Sequence, residues 1–484
     1  MKHGFVKVAA VRPQLKGADV VFNTAKICEK IEEAGKEKAK VVVFPELCIT
    51  GYTCGDLFLQ RPLVKAAKKA LCRIIDYTEG MDMLVFVGLP MEKNHKLYNV
   101  AAAICDGQLL ALIPKTYLSS FGEFSEGRYF AKGNKVAETV LFEKDGEIEE
   151  VPFGTHILLQ CDILEELVIG CEIGREAETV LAPSNYHAMA GATVIVNLSA
   201  TSATILKQRK LENLLEATSR KLVSAYIMAN AGEGESTQDI VMAGYNMIYE
   251  NGTLLSKNGR FTYDNVYSEI DVQRLSSERM RNNTYEYAEN NEYVFVNFFV
   301  EEDETVLTRT VKKSPFLPNN ETDSNVRFEE ILEIQARGLK KRMAHIGATT
   351  AVLGISGGLD STLALLVAVE AMRQLGRPVT DVYGVTMPCF GTLALLVTAK
   401  AFDLLGLDRS NIKAVTMPCF GTTDRTYENA CTMTKALGAT LLEIDIKEAV
   451  TVHLKDISHD MDNHNVTYEN AQARERTQVL MDIA

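Results

Sequence analysis

No two of the ten cysteines stand in a Cys-x-x-Cys pair, so neither a zinc site nor a disulfide framework is expected. Long apolar runs are missing too. None approaches the roughly eighteen residues of a membrane-spanning helix. Positive charge is in short supply: 51 Lys and Arg face 64 Asp and Glu, a net charge of −13. That balance excludes a broad electrostatic footprint for nucleic acid or a membrane surface. No basic-then-apolar leader is expected, because Met1-Lys2-His3 runs straight into the strand-like stretch from Val6 to Val11. These absences point to a cytoplasmic chain whose partners are small molecules and further copies of itself, a homo-oligomer. The histidines are scattered; His459 and His464, flanking Asp460, Asp462 and Asn463, read as an exposed polar turn rather than a metal site.

What is present is an ordinary globular composition, 46% hydrophobic and 24% charged over 484 residues, long enough for two or three domains. The most specific local signal is Gly-Ile-Ser-Gly-Gly-Leu-Asp-Ser at 354–361. It follows the apolar run Ala351-Val352-Leu353 and precedes a helical-looking stretch from Thr362 to Val367, so it reads as strand, glycine turn, helix. Gly357 and Gly358 can adopt positive φ and leave room for successive N–H groups to converge on an anion at a helix N-terminus. Gly354, Ile355, Ser356, Gly357, Gly358, Leu359, Asp360 and Ser361 are therefore expected to cradle phosphate. Ser356 and Ser361 would add hydroxyl donors. Asp360 would repel a bare phosphate and is placed beside Mg²⁺. A Gly-Lys-Ser/Thr ending is absent, which disfavours simple γ-phosphate transfer. The loop resembles the pyrophosphate loop of the ATP-pyrophosphatases.

In the first 300 residues, strand-like runs at 41–44, 83–87, 168–173 and 192–197 alternate with helical spacing such as 63–77. This predicts α/β layers with both sheet faces covered. Glu46 follows an apolar strand and Pro45, where a partly desolvated carboxylate can serve as a general base. Lys115, after Ile113-Pro114, is a cation able to stabilise an oxyanion.

Phe44-Pro45-Glu46-Leu47-Cys48-Ile49-Thr50-Gly51-Tyr52, Pro114-Lys115-Thr116-Tyr117-Leu118 and the stretch from Ala190 to Ser199 resemble the carbon–nitrogen hydrolases of the nitrilase superfamily. That resemblance implies an α-β-β-α sandwich over residues 1–290 and a Glu, Lys, Cys triad that cleaves an amide. Joined to the second loop, the chain is similar to the glutamine-dependent NAD synthetase family. The resemblance implies a second, parallel-sheet, Rossmann-like ATP-pyrophosphatase domain at 327–484, after a linker at 291–326. It implies glutamine hydrolysis in the first domain, and ammonia then used with ATP and Mg²⁺ to amidate deamido-NAD to NAD in the second. Phe121, Thr201 and Lys207 fall where this family contacts glutamine, Arg474 where it meets ATP phosphates, and Asn470 where it faces deamido-NAD.

The chain departs from the family at several points. Where the family has Gly-Val-Glu-Ile-Cys-Glu-Asp, residues 170–176 put Gly174 at the nucleophile's place. Cys171 remains a candidate three residues earlier, although an odd shift along a strand turns a side chain to the opposite face. The family's Tyr after the lysine is replaced by Phe121. Residues 362–392 recur at 392–422 with an offset of 30, and the second Met-Pro-Cys-Phe-Gly-Thr copy, at 417–422, is favoured as the nucleotide-binding strand end. The last residue, Ala484, precedes the family's Gly-Thr-Gly-Asp-Leu-Ser-Glu segment, so half of the second sheet is expected to be missing, with an apolar edge. Two other readings stay open: a stand-alone amidase or glutaminase with a vestigial second domain, and an inactive binding or assembly homologue.

Overall fold

The computed structural model describes the chain except for residues 236–239, 289–291, 312, 315, 318–320, 356–357, 387–391, 421–423 and 484. It contains two compact units, Met1–Val311 and Lys312–Ala484.

The first unit is built on two sheets. One has eight strands in the spatial order Val266–Asp271, Phe5–Ala10, Val41–Val43, Leu84–Lys93, Lys96–Cys105, Gln108–Pro114, Glu147–Phe153, Glu138–Lys144. The other has seven, ordered Thr253–Lys257, Met247–Glu250, Ala225–Asn230, Val194–Ser199, Val168–Ile173, Ile157–Cys161, Val294–Phe298. Alternation decides the layering. Val6, Val8 and Ala10 pack with Ile169, Val194 and Val196 between the sheets, whereas Ala9 and Val11 face outward against Ile27 and Ile31. The latter two lie on the helix Val20–Lys36, which lies beside a second outer helix, Arg61–Tyr77. On the far side, Ile195, Tyr226 and Met228 pack against Leu211 and Leu215 of the helix Lys207–Leu222. The result is an α-β-β-α sandwich, in which apolar side chains are removed from water on both faces of each sheet.

The strand Val294–Phe298 pairs in parallel with Ile157–Cys161. Beyond it, Thr308 donates to Glu269 and Arg309 to both oxygens of Glu250. The first part of the expected linker, through Val311, thus belongs to the first unit.

Among the described residues, the second unit has four parallel strands in sequence order, Ala351–Gly354, Val382–Thr386, Ile412–Thr416 and Thr440–Glu443. One face packs Val382, Ile412 and Ala414 on Leu365, Met372, Leu395 and Phe402. These come from the helices Leu359–Gln374 and Thr392–Leu405. The other face packs Val385 and Val415 on Val450, Leu454, Tyr468 and Ala471, from the helices Lys447–Asp456 and Val466–Ile483.

The 30-residue repeat therefore adds one helix and one strand to the sheet. Its first copy, not the favoured second, lies next to the loop-bearing strand, with Leu353 opposite Gly384. The second copy is one strand further away. Each short crossover carries the chain only to the neighbouring position, so the strands are laid down in order.

Candidate amide-hydrolase site and nucleotide loop

Glu46 leaves the sheet three residues after Val43, and Lys115 directly follows Gln108–Pro114, so two strand ends deliver them to one place. Both are buried, with 2% and 1% of their surfaces exposed. Lys115 Nζ lies 2.6 Å from Glu46 Oε1, and Asn99 Nδ2 donates to the same oxygen at 2.6 Å. A second carboxylate completes the cluster: Glu126 Oε1 is 2.8 Å from Lys115 Nζ and accepts from the Tyr52 hydroxyl at 2.7 Å. The other Glu126 oxygen accepts the Ser119 N–H.

Electrostatics follow from that burial. Loss of water pushes the Glu46 carboxyl up to about 7, against the pull of Lys115. Burial alone would lower the Lys115 ammonium, but Glu46 and Glu126 outweigh it and hold it above the ordinary lysine range. A base near neutrality beside a fixed cation suits proton transfer and the stabilisation of a developing oxyanion.

Two further carboxylates hold the surrounding backbone. Glu176 accepts the N–H groups of Thr116 and Tyr117 on one oxygen and that of Ile173 on the other. It thereby ties the segment after Lys115 to the end of the strand Val168–Ile173. Glu172 accepts from the Tyr226 hydroxyl and the Ser184 N–H.

Gly174 begins the turn after that strand with φ +60°, and its carbonyl accepts from Asn197. A Cβ on Gly174 would lie 2.5 Å from Glu46 Oε2 and 2.9 Å from Lys115 Nζ. Position 174 thus faces the acid–base pair without a side chain. The side chain of Cys171, the alternative nucleophile, belongs to the apolar layer between the two sheets. Burial pushes its thiol well above the usual range. Among the described residues, no thiol hydrogen-bonds Glu46 or Lys115.

The three residues expected to contact glutamine are placed as follows. Phe121 is 61% exposed, with the Arg175 guanidinium over its ring. Lys207 pairs with Glu178, which also binds Arg175, so Arg175 connects the two. Thr201 is buried, its N–H donated to Asn230 and its hydroxyl bonded to Ser199. A cavity of about 390 Å³ has Tyr52, Glu123, Phe124 and Glu126 in its wall. Glu126, Asn99, Tyr52 and Glu176 were not anticipated from the sequence. Asn99 meets Glu46, Glu126 meets Lys115 and Tyr52 meets Glu126 only through the fold.

In the second unit, Ser356 and Gly357 lie outside the described residues. Gly358 has φ −77° and ψ 164°, ordinary extended backbone rather than the positive φ expected. It is the residue before the helix Leu359–Gln374, and the hydroxyls of Ser361 and Thr362 donate back to its carbonyl. Gly354 ends the strand, and buried Ile355 donates its N–H to Val385. Leu359 and Asp360 are exposed in the first helical turn. Asn470 and Arg474 are exposed one turn apart on the helix Val466–Ile483. Among the described residues there is no cluster of three potential metal ligands. No described helix is long and apolar enough to cross a membrane.

Comparison with known proteins agrees with this division. Residues 7–280 match the carbon-nitrogen hydrolase family and residues 331–484 match NAD synthase. A glutamine-dependent NAD(+) synthetase of Mycobacterium leprae is 33% identical over 495 residues, covering 99% of this chain and 68% of that protein. One of Aquifex aeolicus is 28% identical, covering 96% of this chain and 70% of that protein. Among solved structures, a glutamine-dependent NAD(+) synthetase from Cytophaga hutchinsonii aligns with 21% identity and a TM-score of 0.49, covering 99% of this chain and 72% of that one. With a hydrolase unit and a synthase unit in one polypeptide, and this identity along its whole length, the chain belongs to the glutamine-dependent NAD(+) synthetase family.

Proposed function

We propose that this chain converts deamido-NAD to NAD by ATP-dependent amidation in the second unit, and that the first unit is its glutamine-directed half. The observation that carries the reading is the buried Glu46–Lys115–Glu126 cluster in a carbon-nitrogen hydrolase domain continuous with an NAD synthase domain. In the first unit, Glu46 and Lys115 are the base and the oxyanion-stabilising cation that cleavage of an amide by a nucleophile would use. Phe121, Thr201 and Lys207 are assigned to glutamine.

In the second unit, the 354–361 loop takes the ATP phosphates. Asp360, exposed at a helix N-terminus, fits a role beside Mg²⁺, which would offset phosphate charge. Arg474 offers a planar fork to phosphate, and Asn470, on the same face, is assigned to deamido-NAD. The carboxylate of deamido-NAD attacks the α-phosphorus of ATP, pyrophosphate leaves, and ammonia then displaces AMP.

The test is a full-chain assay with deamido-NAD, ATP, Mg²⁺ and an ammonium salt, following NAD and AMP together. Equal amounts of the two products are expected, with loss of both in Asp360→Ala. AMP release that does not depend on deamido-NAD would sink the reading.

A further inference from the structure

Cleaving an unactivated amide through a covalent intermediate takes a nucleophile, a base for its proton, and a donor for the oxyanion. The first unit holds the last two in Glu46 and Lys115, 2.6 Å apart. Among the described residues, no side-chain thiol or hydroxyl hydrogen-bonds Glu46 or Lys115. Position 174 aims its Cβ direction at both groups, and it is a glycine. Cys171 lies on the strand before it, and its thiol packs in the layer between the sheets. Two described hydroxyls near the pair are engaged with other groups: Ser199 with Thr201, and Tyr52 with Glu126.

The local geometry agrees with a site that has closed over this position. Glu46 Oε2 and Lys115 Nζ come within 2.5 and 2.9 Å of where a Cβ would stand. Both are ends of flexible side chains, so a Cβ could displace them. The φ of +60° is tolerated by glycine and strained for other residues.

We propose that the first unit, as encoded, recognises an amide without cleaving it, and that the second unit draws on free ammonia made by a separate ammonia-releasing reaction. This rests on the proposed function for the identity of the amide, glutamine. Restoring a thiol should restore the chemistry. In Gly174→Cys, the thiol proton passes to Glu46 and sulfur attacks the amide carbon. The C–N bond breaks as that proton reaches the leaving nitrogen, giving ammonia and a thioester. Water then hydrolyses the thioester to glutamate and regenerates the thiol.

The experiment measures ammonia and glutamate released from glutamine by the full chain, without ATP, in wild type, Gly174→Ala and Gly174→Cys. No release is expected from the first two, and turnover from the third. Intact mass should show an electrophilic glutamine analogue attached to position 174 of Gly174→Cys alone. Glutamine hydrolysis by the wild type overturns the proposal, and that measurement stands even where Gly174→Cys does not fold. A folded Gly174→Cys that neither turns over nor is labelled also overturns it.

A parallel assay supplies wild type with deamido-NAD, ATP and either ammonium or glutamine. NAD from ammonium alone supports the proposal, and NAD from glutamine overturns it. If neither yields NAD, the proposed function fails, while the hydrolysis and labelling measurements still decide the inference about Gly174.

Discussion

Glu126 Oε1 lies 2.8 Å from Lys115 Nζ, so a single buried lysine is held between two buried carboxylates. Removing one partner leaves charge in the interior with less compensation. Glu126→Ala is expected to destabilise the first unit by about 3–5 kcal/mol, the usual cost of breaking a buried ion pair. Glu126→Gln keeps the shape and part of the hydrogen bonding, and should recover some of that loss. Urea unfolding of both variants checks the order; equal stability of Glu126→Ala and wild type would refute it.

Glu176 and Glu46 both have carboxyls pushed up to about 7 by burial. Between the ordinary carboxylate range and pH 7, the folded chain therefore holds protons that the unfolded chain has released. Their contribution to stability is full at the acidic end of that window and is lost as pH rises through about 7. Taken alone, these groups make the wild type more resistant to urea at pH 5.5 than at 7.5. Glu176→Gln should narrow that difference even if it lowers stability at both pH values. An unchanged difference would show that Glu176 does not titrate in this window.

Cys171 is enclosed by apolar neighbours, with its thiol driven well above the usual range. Thiol reagents should leave it unmodified in the folded chain and label it only on unfolding, as read by peptide mass spectrometry. Cys171→Ala should cost about 1 kcal/mol, near the centre of the distribution for point mutations, and leave any NAD synthesis unchanged. Rapid labelling of the native protein would contradict this placement.

Arg309 grips Glu250 with two hydrogen bonds of 3.0 and 2.9 Å. Arg309→Ala leaves the nearly buried Glu250 without its nearer cation, and is expected to cost about 3–5 kcal/mol in the first unit. Arg309→Lys should recover only part, because an ammonium lacks the planar fork. Hydrogen exchange at 247–250 and 266–271 provides a local readout. Protection unchanged in Arg309→Ala would mean that residues 299–311 do not secure these two strands, one from each sheet.

Local patterning determined much of this protein. Short apolar, strand-like runs placed the strands around Val6, Val42, Val85, Ile169 and Ile195. The strand–turn–helix at 351–367 was legible because backbone preferences act over a few residues. The odd spacing between positions 171 and 174 already indicated that the Cys171 side chain and a Cβ direction at 174 would diverge.

The tertiary structure decided what meets what. Lys115 finds partners 69 and 11 residues away in Glu46 and Glu126, and Asn99 reaches Glu46 across 53. No local rule encodes those distances. The partners become neighbours only when strand ends are stacked by burial of the layers beneath them. The same holds for the repeat. Its duplication is plain in the sequence, but parallel pairing alone decided which copy lies beside the loop-bearing strand. At Gly174 the sequence supplied an absence, and the fold gave it meaning by aiming that backbone position at Glu46 and Lys115.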